Sequence, residues 1–305
     1  MNKKRCLIFA GGSLPFAALC FQACSNLLIL DPKGPIGEAE RSVILVAIAL
    51  MLLVVIPVFI MAFWFSWRYR VSNTEAVYTP KWHSSRAIHL AVWSFPIAIV
   101  TALAVLGWFQ THRVNPYKPL LPSVNPVRIQ AVSMDWKWLF IYPDHHIATV
   151  NQIVFPVKVP LSFRLTSDSV MCSFFIPQLG SQIYAMPGKQ TRLHLLASEP
   201  GVFRGQNQQF SGRGFATMHF EAKAVSRDDF EAWVRKASRS PFKLDWARFE
   251  ELRKPSVRHP VTLFSWVEPE LFMDIIRQYR PGTSSRATYE GPGIEPEKGG
   301  VSEAH

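Results

Sequence analysis

Three long stretches without a single Asp, Glu, Lys or Arg constrain this chain more than any other feature. They cover residues 6–30, 42–67 and 87–112. The second and third stretches each have 26 residues, which would extend about 39 Å as an α-helix at about 1.5 Å per residue. A bilayer core needs only about 20 apolar residues. The sequence therefore predicts a membrane-anchored protein and excludes a simple soluble enzyme.

The first uncharged stretch has the features of a signal peptide. Residues 3–5 are basic, residues 7–21 are apolar, and the small residue Ala23 precedes Cys24. This order is typical of an exported chain, and the cysteine after a small residue predicts lipoprotein processing. We therefore expect residues 1–23 to be removed and Cys24 to carry lipid. An uncleaved third transmembrane helix stays open as the alternative.

The cysteine count agrees with export by this route. Cys6 and Cys20 would leave with the signal peptide, and Cys24 would be acylated. Only Cys172 then remains, so no intramolecular disulfide is expected in the exported part.

The other two stretches predict transmembrane helices over about 42–67 and 87–110, within a membrane region of residues 42–112. The connecting loop, residues 68–86, carries four basic residues against the single acid Glu75. Positively charged loops stay in the cytoplasm. The segment 24–41 and the long C-terminal part are therefore predicted outside, in agreement with a lipidated Cys24.

The net charge of +11 does not indicate a nucleic-acid partner. From Gln110 onward the chain has 24 Lys and Arg against 18 Asp and Glu, and these basic residues are scattered. A nucleic-acid-binding face requires clustered basic side chains.

Seven short stretches rich in β-branched and aromatic residues predict an all-β exported domain. In the last of them Met218 and Phe220 alternate with His219 and Glu221, a period of two that indicates a half-buried strand. Such spacing favours a sandwich or a barrel. The predicted strands cover residues 127–134, 139–142, 152–159, 161–166, 170–176, 190–196 and 216–224.

A helical extension is predicted over residues 226–280. Ser226 and Asp229 resemble a capping box before a helix, and residues 244–252 form a weaker helical pattern. Pro269 occupies a predicted first helical position. Residues 281–305 are rich in Gly, Ser, Pro and Glu and are predicted to be disordered.

Three stretches, residues 170–180, 185–188 and 201–218, carry a family resemblance. Together they are similar to the cupredoxin domain of subunit II of the haem–copper respiratory oxidases, and the two preceding helices agree with that family's architecture. The resemblance implies a cupredoxin-like Greek-key sandwich over residues 113–225, after an N-terminal transmembrane hairpin and before the C-terminal helices.

In cytochrome c oxidases this domain holds the binuclear CuA centre, and the resemblance indicates which positions supply its ligands. A copper pair bridged by thiolates needs soft sulfur and imidazole ligands, which amide, hydroxyl and phenyl groups cannot replace. The resemblance therefore implies no metal bound by this chain. At the family's two His, two Cys and one Glu positions stand Cys172, Phe215, Asn207, Ser211 and Gln209, and only the Met position is kept, as Met218.

Loss of these ligands resembles the quinol-oxidising branch of the family. The implied function is subunit II of a terminal ubiquinol oxidase, bo-type or ba-type, in the bacterial inner membrane. The complex would couple quinol oxidation to oxygen reduction and proton pumping, with the haems and CuB in subunit I. This chain would be structural, with no catalytic residues and no cofactor of its own, in contact with subunit I, other oxidase subunits and membrane lipid.

Two alternatives stay open from sequence. One is a copper-bearing cytochrome c oxidase subunit, which would need two thiolates that residues 201–218 lack. The other is a free membrane-anchored lipoprotein that uses the same sandwich for binding, because a fold does not fix a function.

Several side chains near the motif have a structural interpretation. Trp136 matches the family's electron-entry aromatic, and we expect it to be structural here, like Trp138. Cys172 is either a residual thiolate ligand or a small buried side chain, and we favour burial. Cys172 and Phe215 are predicted to fill the former copper cavity.

Other polar residues give no catalytic pattern. The adjacent His145 and His146 are predicted in a solvated turn, and His194 and His219 are predicted at the surface of strands. Asp168 and Glu199 have no partner that the sequence identifies.

Overall fold

The computed structural model describes residues 28–75 and 85–279. The predicted signal peptide (1–23), the lipidation site Cys24 and the tail (281–305) lie outside the described residues. The chain divides into two compact units. The first runs to Leu120 and includes the segments Pro177–Ser181 and Leu195–Glu199, and the second contains the remaining residues.

Two apolar helices dominate the first unit, as predicted. Helix α1 covers Pro35–Arg68 and helix α2 covers Arg86–Arg113. Both are long and apolar enough to cross a membrane. They extend beyond the uncharged stretches, since α1 begins seven residues before Ser42. Pro35 stands at the start of α1, where a backbone N–H would have no helical acceptor and its absence is therefore tolerated.

The segment before α1 is fixed within the same unit. The Lys33 N–H donates to the Gln178 carbonyl at 2.7 Å, and the Ser198 N–H donates to the Lys33 carbonyl at 2.8 Å. On α1, the Glu40 carboxylate accepts from the Ser181 N–H at 2.9 Å and from its hydroxyl at 3.0 Å. These bonds connect the entry to the first predicted span with two segments distant in sequence.

In the described residues after α2, thirteen strands and three helices follow. The strands of the sandwich are β1 Val127–Met134, β2 Lys137–Tyr142, β3 Ile147–Val150, β4 Gln152–Pro156, β5 Leu161–Ser167, β6 Cys172–Ile176, β7 Gly180–Ala185, β8 Thr191–Leu195, β9 Gly201–Asn207 and β10 His219–Val225. The C-terminal elements are α3 Arg227–Ala237, β11 Lys243–Leu244, α4 Trp246–Leu252, β12 Thr262–Phe264, β13 Trp266–Val267 and α5 Leu271–Arg277.

The strands form two larger sheets and one small one. The six-stranded sheet has the order β12-β3-β2-β1-β5-β8, and the five-stranded sheet has the order β4-β10-β9-β6-β7. Strands β1 and β5 pair in parallel, as do β4 and β10. Strand β11 pairs with β13. The predicted all-β sandwich with C-terminal helices is confirmed.

An aromatic core joins the two larger sheets. Trp138 and Phe140 on β2 meet Phe174 on β6 and Phe220 on β10, with the centroids of Phe140 and Phe220 5.0 Å apart. Gly205, opposite Phe220 on β9, leaves room for this ring, because an added Cβ would lie 2.1 Å from it. A residue without a side chain is therefore required there.

The C-terminal elements cover the other face of the six-stranded sheet. Leu139 and Ile141 on β2 belong to a cluster with Phe249, Phe272 and their neighbours from the C-terminal segment. Because both faces are covered, all six residues of β2 are buried. This strand therefore shows no alternation of polar and apolar residues.

The structure corrects several predicted boundaries. The predicted strand 216–224 begins only at β10, because residues 215–217 form a 3₁₀ turn, and Met218 and Phe220 are buried on one face as predicted. The sequence pattern did not predict strands β3, β7 and β9. Pro269 lies outside α5, whose N-cap is Glu270.

The structure also shows the N-terminal caps of two predicted helices. The predicted helix 244–252 begins at Trp246, after an Asp245 cap that accepts from the Arg248 N–H. The Ser226 hydroxyl accepts from the Asp229 N–H at 3.1 Å, as a cap does. The Asp229 carboxylate accepts from the Ser226 hydroxyl at 2.7 Å, where a capping box would accept from the backbone N–H of the cap residue.

Candidate functional site

The positions that match copper ligands come together at one end of the five-stranded sheet. Cys172 begins β6 and Asn207 ends the neighbouring β9, with Phe174 opposite Asn207. The connection from β9 to β10 carries Ser211 and returns at Met218, whose carbonyl accepts from the Asn207 N–H at 3.2 Å. Antiparallel pairing of three strands thus assembles residues that are up to 46 positions apart in the sequence.

Asn207 is the centre of a hydrogen-bond network. Its Oδ1 accepts from the N–H groups of Ser173, at 2.8 Å, and Gln209, at 3.0 Å. Its Nδ2 donates to the Gln209 carbonyl at 2.8 Å and to the Ser211 hydroxyl at 3.1 Å, and lies 3.5 Å from Met218 Sδ. The side chain is 5% exposed, so both ends of its amide are satisfied inside the protein.

Cys172 is buried beside this network and is 1% exposed. Burial raises the pKa of its thiol, and hydrogen bonds with Ser133, Ser211 and Asn207 offset part of that rise. The neutral thiol therefore prevails at physiological pH. A thiolate is the form that binds metals and reacts as a nucleophile, so this environment agrees with the favoured structural interpretation.

Phe215 does not fill the former copper cavity, contrary to the prediction from the sequence. The residue is only half-buried, and its ring packs on Phe210 at a centroid distance of 5.6 Å. Phe210 is itself 73% exposed. The space among the ligand positions is occupied by the hydrogen-bonded Asn207 amide, because the polar groups of the turn need partners that an apolar side chain could not supply.

Trp136 lies against the same turn. Its Nε1 donates to the Ser211 carbonyl at 2.8 Å, and it has a left-handed backbone with φ of 64°. The indole ring lies on Gly214, where an added Cβ would come within 2.3 Å of it. Trp138, by contrast, is fully buried in the aromatic core. Both tryptophans thus have structural contacts.

The donor set does not fit a copper pair. The groups at the former ligand positions are an amide, a hydroxyl, a phenyl ring, one neutral thiol and one thioether, whereas a thiolate-bridged pair needs two sulfur anions and imidazoles. Across the described ranges 28–75 and 85–279, no group of three or more His, Cys, Asp and Glu side chains could hold a metal ion.

The isolated histidines lie apart from this network. His145 and His146 are exposed in the turn between β2 and β3, and His219 is exposed on β10. His194 is half-buried on β8. Burial lowers the pKa of both His194 and His219, which leaves each neutral near pH 7.

A buried charged cluster in the second unit was missed by the sequence analysis. The Arg253 guanidinium donates to both oxygens of Asp168, at 2.9 and 3.0 Å, and also to Glu250 at 3.0 Å. Gln278 Nε2 donates to Asp168 Oδ1 at 2.6 Å, and the Tyr279 hydroxyl donates to the Asp168 carbonyl at 2.6 Å. This cluster fastens the C-terminal segment to the turn after β5.

Burial raises the pKa of the Asp168 carboxyl above its usual range, and the Arg253 guanidinium offsets part of that rise. The partners are 85 and 110 residues apart in sequence. No local pattern signals such a pair. The one available hint is Asp168 itself, an acid between a predicted buried strand and an apolar stretch.

Lys137, on β2 of the six-stranded sheet, is a second buried charged residue. It is 1% exposed, and its Nζ donates to the Lys254 carbonyl at 2.8 Å and to the Ser256 hydroxyl at 2.6 Å. Burial lowers its pKa to about 8, although the nearby Asp135 acts to raise it. Asp135 accepts a hydrogen bond from the buried Ser169 hydroxyl.

The sandwich and the altered motif define a class, the second subunits of the haem–copper oxidases. Residues 144–225 match the family described as cytochrome c oxidase subunit II, periplasmic domain, and residues 237–282 match the COX aromatic rich motif. The periplasmic domain of cytochrome oxidase subunit II from Bradyrhizobium japonicum is 25% identical, with a TM-score of 0.37, and covers 38% of this chain and 96% of that one.

Curated relatives specify the branch. Cytochrome bo(3) ubiquinol oxidase subunit 2 of Pseudomonas putida is 50% identical over 92% of this chain and 90% of its own length. Ubiquinol oxidase subunit 2 of Acetobacter aceti is 48% identical, with 87% of each chain covered. The chain belongs to the ubiquinol oxidase subunit 2 family.

Proposed function

We propose that this protein is the membrane-anchored subunit II of a terminal ubiquinol oxidase and that it carries no CuA centre. In the complex, ubiquinol oxidation would be coupled to oxygen reduction to water and to proton pumping. The haems and CuB would lie in subunit I, which this chain contacts together with other oxidase subunits. The chain itself would be structural.

One observation carries the proposal: a saturated hydrogen-bond network stands where a copper subunit has its ligands. Asn207 uses its amide to connect β6, the following turn and Met218. An amide so engaged is not a free ligand, and its neighbour Cys172 is a buried neutral thiol. The relatives named as ubiquinol oxidase subunits support the same conclusion and do not favour a free lipoprotein.

Without copper, an electron entering at Trp136 would find no acceptor behind it. The Trp136 ring instead packs on Gly214, and its Nε1 donates to the Ser211 carbonyl. These contacts suit a rigid surface. A quinol dissolved in the membrane can reach subunit I without passing through this domain. The function that we propose for the sandwich is to cover and stabilise subunit I.

The proposal includes a membrane arrangement. The loop 68–86 would be cytoplasmic by the positive-inside rule. The segment 24–41, the cupredoxin-like domain 113–225 and the helical extension 226–280 would be periplasmic in an inner membrane, with lipid attached at Cys24 after removal of residues 1–23. Helices α1 and α2, both long and apolar enough to cross a membrane, would be the two spans.

The test is a measurement on the complex purified through a tag after Pro281. Copper per haem would be quantified, and oxygen uptake assayed with ubiquinol and separately with reduced cytochrome c. We expect one copper per two haems, from the CuB and haems assigned to subunit I, and activity with ubiquinol alone. Three coppers with cytochrome c activity would overturn the ligand assignment, and absence of haem would favour a free lipoprotein.

A ligand-restored variant provides a positive control for the copper measurement. Replacing the five altered positions with the family ligands (C172H, N207C, Q209E, S211C and F215H) should add copper to the complex. The variant N207A removes the amide without adding a ligand and should add none.

A further inference from the structure

A cavity in the first unit lies where the predicted membrane spans end. It has a volume of about 270 Å³ and is lined by the start of α1, the end of α2 and the chain that follows α2. Ile36 and Ala39 precede Ser42, where the second uncharged stretch begins, and Arg113 directly follows the last residue of the third uncharged stretch. The cavity is therefore at the level of lipid headgroups.

The lining of this cavity combines basic and apolar residues. Arg113 and Lys118 supply two cations, Asn115 supplies an amide, and no Asp or Glu is among the lining residues. Within the part of the chain that the structure describes, neither Arg113 nor Lys118 has an ion-pair partner. The nearby Glu40 carboxylate is engaged by Ser181. Ile36, Pro119 and Leu120 are among the apolar lining residues.

We propose that this cavity binds the phosphate group of an anionic phospholipid. Arg113 and Lys118 would hold the phosphate, and the apolar lining residues would contact the glycerol and the first acyl carbons. Arg and Lys side chains bind phosphate groups through charge-assisted hydrogen bonds, and a volume slightly below the range of about 300–1,000 Å³ for small-molecule pockets suits a headgroup better than a whole lipid. The position at the span ends favours a lipid over a free anion.

The test uses the full chain, purified with the subunits that accompany it and placed in phosphatidylcholine vesicles. The probe is phosphatidylglycerol with a photoactivatable group near its headgroup, and cross-linked peptides are mapped by mass spectrometry. We expect labelling of residues 35–39 and 113–120. Excess unlabelled phosphatidylglycerol should compete, whereas phosphatidylcholine and inorganic phosphate should not.

Charge variants test the two cations directly. At about 1 kcal/mol for each exposed pair of a cation with the phosphate, R113Q and K118Q should each reduce labelling about fivefold and together about thirtyfold. The charge-retaining variant R113K/K118R should keep most of the labelling. The matched control R235Q/K236Q removes two exposed charges on α3 and should change nothing.

Three results would overturn the proposal. Undiminished labelling in R113Q, in K118Q or in the double variant would show that the cations do not hold the headgroup. Equal competition by phosphatidylcholine would indicate an apolar cleft without headgroup preference. Competition by inorganic phosphate would indicate a site for free anions.

Discussion

Two polar clusters buried in the sandwich unit differ in origin and in charge. The network around Asn207 is uncharged, and its partners lie within 34 residues of it. The cluster around Asp168 and Arg253 contains a buried ion pair whose members are 85 residues apart. The first stands at the family's copper position, and the second fastens the C-terminal segment.

The difference shows how a turn at the proposed copper-free position can be held together without a metal. Metal ligands contribute to folding because the metal joins them, so a turn that lacks the metal needs other connections. Asn207 provides these connections with amide hydrogen bonds. The Asp168 cluster instead fastens the C-terminal segment with a buried ion pair and with hydrogen bonds from Gln278 and Tyr279.

The largest effect is expected from breaking the ion pair. Arg253→Met leaves the Asp168 carboxylate buried without its guanidinium, which typically costs about 3–5 kcal/mol. The measurement is the thermal unfolding of the full chain in detergent, followed by tryptophan fluorescence. The double variant D168N/R253M leaves no fully buried unpaired charge, because Glu250, the other partner of Arg253, is 33% exposed, and it should recover most of the loss. A single variant as stable as the wild type would mean that the pair does not fasten the segment.

The buried lysine predicts a dependence on pH. The pKa of Lys137 falls from 10.5 in the unfolded chain to about 8 in the fold, so between these values only the unfolded chain binds the proton. Burial of Lys137 should therefore reduce the free energy of unfolding fully below about pH 8. This free energy should then rise by at most about 3 kcal/mol as the pH increases from about 8 toward 10.5. Lys137→Met should lack the rise.

Comparison of unfolding midpoints from pH 7 to pH 10 measures this difference. Lys236→Met, at an exposed position on α3, controls for the loss of a charge and should keep the wild-type slope. Parallel profiles of Lys137→Met and the wild type would contradict the assigned burial of the amine.

A smaller effect is expected at the uncharged cluster. Asn207→Ala leaves the N–H groups of Ser173 and Gln209 without their acceptor, which should cost about 2 kcal/mol. The measurement is the unfolding midpoint, with copper content unchanged. The matched control is Gln208→Ala, whose side chain is exposed in the same turn. If both variants lose equal stability, the amide is not the centre of the network.

The smallest effect is expected at the junction between sandwich and C-terminal segment. Ser226→Ala removes the cap of α3 and should cost about 1 kcal/mol, seen as a small fall in the unfolding midpoint. Ser226→Asn retains a capping side chain and should behave like the wild type. A larger loss in Ser226→Asn than in Ser226→Ala would argue against capping as the role of this residue.

The parts of the fold that the sequence predicted have local causes. Uncharged stretches indicated both apolar helices, and the alternation ending at Ala224 indicated a half-buried strand. Strand β2 was predicted two residues short, since burial on both faces removes the alternation. Strand β9 was missed because Gly201 and Gly205 weaken its β pattern, and the second glycine is needed only for the ring of Phe220.

By itself, the sequence predicted two apolar helices and the sandwich class, both of which are confirmed, while the replacement of copper ligands at Asn207, Ser211 and Phe215 stays a prediction from the family resemblance. These are matters of residue type and local order. Only the tertiary structure decided that the Asn207 amide occupies the former ligand space while Phe215 remains half-buried, and that Asp168 meets Arg253. Hydrogen bonds and ion pairs depend on directions and distances between distant strands, and these exist only after the chain has folded.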